Sequence, residues 1–297
     1  MHPILILDFD GTITTADTIT GLAKAALSHR KIALSEWDVL VAAYFEDFKA
    51  HVAQSKSAEE RRTLEDEIEY LRCLRAAELA SFNRISESKL LSTLTPSTWS
   101  TLGATTLCTN SVTLRPGFSR LASLPVPYSV LSVNFSADWV RGIIGFEVEI
   151  VANHVDEAGV IHGPNFGDAL CTSRDKLSAL KGMIARSKEM GKGEKVVYVG
   201  DSPTDLECLL EPGVIGIIIT GPVEVRDEDG IWPKSTLVKT LDRIGMQCLP
   251  ISNSEAISYG SVEEVNLGRV VYWAQDFNEI LDSPLFMNVG LGSEYTS

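Results

Sequence analysis

The stretch Ile4–Thr12, Ile-Leu-Ile-Leu-Asp-Phe-Asp-Gly-Thr, runs four aliphatic residues straight into two carboxylates one residue apart. A short continuous aliphatic run suits a central parallel strand covered on both faces better than a half-exposed one. Residues i and i+2 of a strand point to the same side, so Asp8 and Asp10 project together from the strand's carboxyl end or the turn just beyond it. Ligands of open α/β sheets bind there. Two acids this close repel each other, and in an apolar setting one takes up a proton unless a cation holds both ionised. The alternative is a solvated turn in which Asp and Gly stand for their turn chemistry alone.

Moving outward, the aliphatic texture returns at Tyr128–Ser132, Val196–Val199 and Val214–Ile219. Helical periodicity lies between them, as in Lys176, Leu177, Leu180, Met183 and Ile184, ending near Gly191 as a C-cap. Strand and helix alternate, which predicts a Rossmann-like, doubly wound parallel α/β sheet. Residues 16–113 have few strand signals. Ser35 reads as an N-cap followed by Trp37, Leu40, Val41, Tyr44, Phe48 and Val52 at helical spacing, and from Glu59 the positions Leu64, Ile68, Leu71, Leu79, Phe82 and Ile85 continue the period. The expected organisation is an α/β core of residues 1–15 and 114–297, interrupted by a helical insertion over 16–113 that ends in a Ser/Thr-rich segment and an Arg-Pro-Gly turn at 115–117. Beyond Gly221 come turn signals at Asp227–Gly230 and Trp232–Pro233, a strand at Cys248–Ile251 and an apolar run around Val270–Trp273.

Composition narrows the function. A net charge of −14 over 297 residues argues against a protein that grips nucleic acid or an anionic membrane, since either needs a large basic face. No apolar run approaches the roughly 18 residues that span a bilayer, and Asp8 interrupts the N-terminal run before it can serve as a signal peptide, so the expectation is a cytoplasmic protein. Five cysteines at wide spacings, with no C-x-x-C pair, fit reduced thiols rather than disulfides or zinc.

A second acidic pair stands in Val196–Leu210, where Asp201 follows an aliphatic strand and Asp205 opens the next helix. Adjacent parallel strand ends would bring Asp8, Asp10 and Asp201 within reach of one ion, and all-oxygen ligation suits Mg²⁺. For Asp205, helix capping alone is an equal explanation. Lys176 lies in the first turn of its helix, where the dipole disfavours a cation. It is either an ordinary solvated lysine or a fixed positive charge offsetting the carboxylates and a phosphate. Ser132 ends its strand with a hydroxyl at the same sheet edge.

Together and in this order, Asp-Phe-Asp-Gly-Thr (8–12), Val-Leu-Ser-Val-Asn-Phe-Ser (130–136), Arg-Asp-Lys-Leu-Ser-Ala-Leu-Lys (174–181) and Val-Tyr-Val-Gly-Asp-Ser-Pro-Thr-Asp-Leu (197–206) resemble the four motifs of the haloacid dehalogenase superfamily. The resemblance implies that Asp8 is a nucleophile forming an aspartyl-phosphate and also a ligand of Mg²⁺. Asp10 would protonate the leaving alcohol, activate water and offer its carbonyl to the metal. Gly11, Thr12, Ser132, Val133, Asn134 and Lys176 would hold the phosphoryl oxygens, and Asp201 with Asp205 would complete the metal shell. An insertion after the first motif is that superfamily's C1 cap, a helical lid. Asp17 lies where phosphoserine phosphatases carry an acid that meets the substrate amine; capping the first cap helix explains it equally well.

The sequence departs from phosphoserine phosphatase at Ser132-Val133-Asn134 and at Gly200–Asp205. In its second and fourth motifs it is more similar to the phosphatase domain of plant thiamin monophosphate phosphatase and its fungal counterparts, which implies a cationic, aromatic phosphate ester that Asp17 and the cap aromatics Trp37, Tyr44, Phe45, Phe48 and Trp99 would accommodate. Other small phosphates (a phosphosugar, pyridoxal phosphate, a phosphoserine-like ester) keep the same chemistry. A non-catalytic phosphate-binding relative is the reading from a different class.

Overall fold

The computed structural model describes residues 4–190, 195–226, 230–233, 235–257 and 270–286. The expected C-cap at Gly191 and residues 227–229 of the expected turn at Asp227–Gly230 lie outside these, while Gly230 and the expected turn at Trp232–Pro233 fall in a strand, Gly230–Pro233. The chain divides into two compact units, one of Met1–Thr15, Leu114–Ser129 and Leu177–Ser297, the other of Ala16–Thr113 and Val130–Lys176.

Strands β1 (Ile4–Leu7), β2 (Tyr128–Leu131), β3 (Glu149–Val151), β6 (Val196–Gly200), β7 (Val214–Ile219), β10 (Gln247–Pro250) and β11 (Val270–Ala274) form one mostly parallel sheet in the order β10-β11-β7-β6-β1-β2-β3. This is the doubly wound α/β architecture. Within the first unit, β1 pairs in parallel with β6 from Ile4↔Val196 to Leu7↔Val199, β6 pairs with β7, β7 with β11, and β11 with β10. Every residue of β1, β6 and β7 is buried, as aliphatic strands covered on both faces must be. Their register brings the ends of β1 and β6 level, so the residues that follow, Asp8 and Asp201, leave the sheet side by side. The hairpins β4 (His154–Val155) with β5 (Ile161–His162) and β8 (Val223–Arg226) with β9 (Gly230–Pro233) lie outside the main sheet.

The second unit is mainly helical: α1 (Ile19–Arg30), α2 (Ser35–Gln54), α3 (Leu64–Cys73), α4 (Arg75–Ser88), α5 (Pro96–Cys108) and, after α6 (Phe118–Ala122) of the first unit, α7 (Ala137–Ile144). Two local expectations are corrected. Ser35 is the first helical residue of α2, because Leu34 already has helical φ/ψ and occupies the N-cap without a side-chain bond. The period running from Glu59 belongs to two helices that meet at Leu74, and the first begins only at Leu64, where the Thr63 side chain caps by accepting the Asp66 N–H. The Ser/Thr-rich segment contains α5: Thr95 accepts the Thr98 N–H at its start, and Thr101, Thr105 and Thr106 return their hydroxyls to carbonyls four residues back. These internal partners let a polar helix pack tightly. A Cβ on Gly103 would stand 2.4 Å from the Trp139 carbonyl oxygen, and one on Gly142 2.0 Å from that of Ser100, so α5 and α7 cross backbone to backbone.

Candidate active site

Beyond β1 the chain makes one wide turn, Phe9–Ile13, closed by the Thr14 N–H on the Phe9 carbonyl at 3.0 Å. Asp10 is extended (φ −71, ψ 123) and Gly11 left-handed (φ 76), a reversal that a side chain would strain. Space decides the glycine as well, since a Cβ on Gly11 would lie 2.2 Å from Asp201 Oδ2. The Thr12 hydroxyl, fully buried, donates to Asp201 Oδ1 at 2.7 Å. The Asp-Gly-Thr sequence is therefore a turn, and one shaped around a second carboxylate.

Beyond β6 the chain enters a loop that Asp205 organises. Asp205 Oδ2 accepts the backbone N–H groups of Asp201 and Ser202, each at 3.0 Å, and the Ser202 hydroxyl at 3.2 Å, while Oδ1 accepts the Tyr198 hydroxyl at 2.6 Å. Burial first, then the charges of Asp205 and Asp8 among its neighbours, push the Tyr198 phenol well above its ordinary range, so it stays protonated and donates. Capping and site organisation thus coincide in Asp205, which fixes the backbone of Asp201.

One oxygen each of Asp8, Asp201 and Asp205 lies within 4.8 Å of the other two. Asp8 and Asp205 are buried and Asp201 half-buried. Among the described residues no other group of three or more acids, histidines or cysteines comes together this way, and the Asp10 carboxylate does not join it. Three carboxylates at this spacing could hold a metal ion, and an all-carboxylate donor set is of the kind that suits Mg²⁺ rather than a soft metal.

The remaining expected residues belong to the second unit. The Ser132 hydroxyl, buried, accepts the Asn134 N–H at 3.1 Å, and Asn134 Nδ2 donates to the Thr18 hydroxyl at 3.2 Å. Val133, half-buried, offers its carbonyl to the Asn153 amide at 3.0 Å. Lys176 is fully buried in the first turn of α8 (Ser173–Glu189), so it is no solvated surface lysine. Asp175 fixes that turn by accepting the Thr172 N–H and hydroxyl and pairing with Arg75. Asp17 accepts the Ile19 N–H at 2.9 Å from the position before Thr18, the N-cap of α1; although solvent reaches it, the protein around it raises its carboxyl above the ordinary range. Of the expected aromatics, Trp37 and Trp99 are core, Phe45 is exposed, and Tyr44 donates to Glu78 at 2.8 Å.

Three organising residues carry no sequence signal that isolates them. Tyr198 is hidden in an aliphatic strand. Asn153 is a fully buried amide whose Nδ2 donates to the carbonyls of Val133, Asn134 and Leu170. Arg115 stands in what reads as a plain turn; its Nε donates to the Thr12 carbonyl at 3.0 Å, and its Nη2 to those of Gly11 and Thr14.

No family model matches the sequence. Among curated proteins, the chain is 30% identical to a CTO1 family protein of Schizosaccharomyces pombe, with 69% of this chain and 78% of that protein covered. It is 25% identical to cold tolerance protein 1 of Saccharomyces cerevisiae, with 75% and 80% covered. Among solved structures it is similar to a substrate-bound phosphoserine phosphatase (TM-score 0.41, 16% identity, 74% of this chain and 86% of that one). It is also similar to a phospho-aspartyl intermediate analogue of phosphoserine phosphatase (TM-score 0.41, 15% identity, 95% and 98% covered). The fold is defined by the strand order and register above, independently of these neighbours.

Proposed function

The chain belongs to the CTO1 family, and we propose that it is a Mg²⁺-dependent phosphomonoesterase acting on a small organic phosphate. The observation that carries this reading is the cluster of Asp8, Asp201 and Asp205 at the carboxyl ends of β1 and β6, with a further acid two residues after Asp8. The Asp8 carboxylate attacks phosphorus as the bond to the ester oxygen breaks, giving an aspartyl-phosphate. Asp10 delivers its proton to the departing alkoxide, then takes one from the water that releases inorganic phosphate and regenerates Asp8. Asp8, Asp201 and Asp205 would hold Mg²⁺, which when bound offsets the charge on the phosphoryl oxygens. Gly11, Thr12, Ser132, Val133, Asn134 and Lys176 are assigned to phosphate binding, and residues 16–113 to the lid that excludes water.

The second acid favours ester hydrolysis over dehalogenation, since a halide leaves without a proton. For the substrate we infer thiamin monophosphate, with Asp17 meeting its positive charge; the likeness of the second and fourth motifs supports this choice, and a raised Asp17 carboxyl suits a site that a cation completes. We place the enzyme in the cytoplasm, consistent with its charge; among the described residues no helix is long and apolar enough to cross a membrane. The test is phosphate release by the purified protein with Mg²⁺, across an aryl phosphate, thiamin monophosphate and a panel of sugar and cofactor phosphates. Wild-type turnover that Asp8→Asn abolishes supports the class, and turnover that survives Asp8→Asn refutes it. Thiamin monophosphate turned over no faster than the panel refutes the substrate.

A further inference from the structure

The turn that carries Asp10 has no repeating backbone pattern, so holding it still costs chain entropy unless something binds it. What binds it arrives from 100 residues further along the chain: the Arg115 guanidinium, whose fork meets the carbonyls of Gly11, Thr12 and Thr14 together. Arg115 is 8% exposed and is itself fixed, since its own N–H donates to the Ile13 carbonyl at 2.8 Å and Leu114 bridges to Thr14. The fork therefore ties the turn that follows Asp10 to the segment Leu114–Arg115, at the place where the chain passes that acid. A planar guanidinium can serve three carbonyls at once, whereas an ammonium is a point charge.

We propose that Arg115 is a positioning residue for leaving-group protonation: by holding the three carbonyls that follow Asp10, it keeps Asp10 where it can reach the ester oxygen. This rests on the reading of Asp10 as the acid. General acid catalysis matters for an alkyl phosphate, whose alkoxide leaves poorly, and little for a dinitrophenyl phosphate, whose phenolate leaves unaided. A misplacement of about 1 Å in a catalytic group costs on the order of 100-fold.

The experiment compares wild type, Arg115→Lys, Arg115→Met and Asp10→Asn on glycerol phosphate and on a dinitrophenyl phosphate, with thermal melting of each protein. The expected result is that kcat of Arg115→Lys falls about 10- to 100-fold more on glycerol phosphate than on the activated ester, with KM on each within about threefold of wild type. Asp10→Asn shows the same selectivity. Equal losses on both esters, or none, in a Lys variant that melts as wild type does overturn the proposal while Asp10→Asn keeps the function standing. Failure of both Arg115 variants to fold assigns Arg115 to the scaffold and overturns it too. A wild type inactive on both esters and on thiamin monophosphate and the rest of the panel removes the function itself.

Discussion

Replacing Gly11 with alanine adds two costs within a few ångströms of each other. The left-handed backbone at φ 76 costs a residue with a Cβ about 1–2 kcal/mol. The new methyl would also lie 2.2 Å from Asp201 Oδ2, 2.7 Å from its Cγ and 2.8 Å from Oδ1, none of which is tolerable. The cheapest escape is rotation of the Asp201 side chain, because its backbone is held by Asp205 at 3.0 Å. Rotation gives up the bond from Thr12, a hydrogen bond to a charged acceptor worth about 1.5–3 kcal/mol. The expected loss in stability is therefore roughly 2.5–5 kcal/mol. Most of it falls on a carboxylate proposed to hold Mg²⁺, so on that proposal Mg²⁺ affinity should drop by roughly 10- to 100-fold, as when a supporting partner is lost. Calorimetric Mg²⁺ titration, with melting measured with and without Mg²⁺, reads both numbers. A Gly11→Ala protein that binds Mg²⁺ and melts as wild type does would refute the close approach and the site built on it.

Asp201→Asn and Asp205→Asn should separate in the metal-free protein. The first relieves repulsion and leaves Tm unchanged or higher while removing stabilisation by Mg²⁺; the second turns a buried acceptor of four donors into a mismatched amide and lowers stability by about 1.5–3 kcal/mol, read by denaturant unfolding. Tyr198→Phe should cost about 1–3 kcal/mol by the same measurement, because a buried carboxylate oxygen loses its 2.6 Å donor. Glu78, raised chiefly by burial, is held neutral more readily folded than unfolded, so its contribution is favourable at acid pH and fades as pH rises through the raised value; Glu78→Gln should raise Tm at neutral pH, with no gain below about pH 4. Gly142→Ala should destabilise by about 1–3 kcal/mol through the α5–α7 crossing, and a melt unchanged from wild type would contradict that backbone contact.

How much could be read in advance differs by element. β1, β6 and β7 are legible because an uninterrupted aliphatic run has few other places to go; β10 falls on the strand expected at Cys248–Ile251, and β11 on the apolar run around Val270–Trp273. The second unit is less legible, since helical period alone does not register the join at Leu74, and hydroxyl-rich residues mimic a loop until their carbonyl partners are seen. In the site, Asp8, Asp201 and Asp205 are recognisable because carboxylates at strand ends are costly to keep without a purpose. Arg115, Tyr198 and Asn153 are not, because each acts on residues that are distant in sequence or that share no pattern with it.

Local chemistry decides which residues stand where a strand ends: alternation, burial and turn preference place Asp8, Asp10, Asp201 and Asp205 at sheet edges without any long-range information. Only the tertiary structure decides what those residues meet. The parallel register of β1 with β6 makes Thr12 a donor to Asp201, the glycine at 11 leaves room for that carboxylate where it stands, and Asp205 becomes the brace of its neighbour's backbone. Such pairings depend on two chain segments nearly 190 residues apart reaching the same level, and no run of residues encodes that distance by itself.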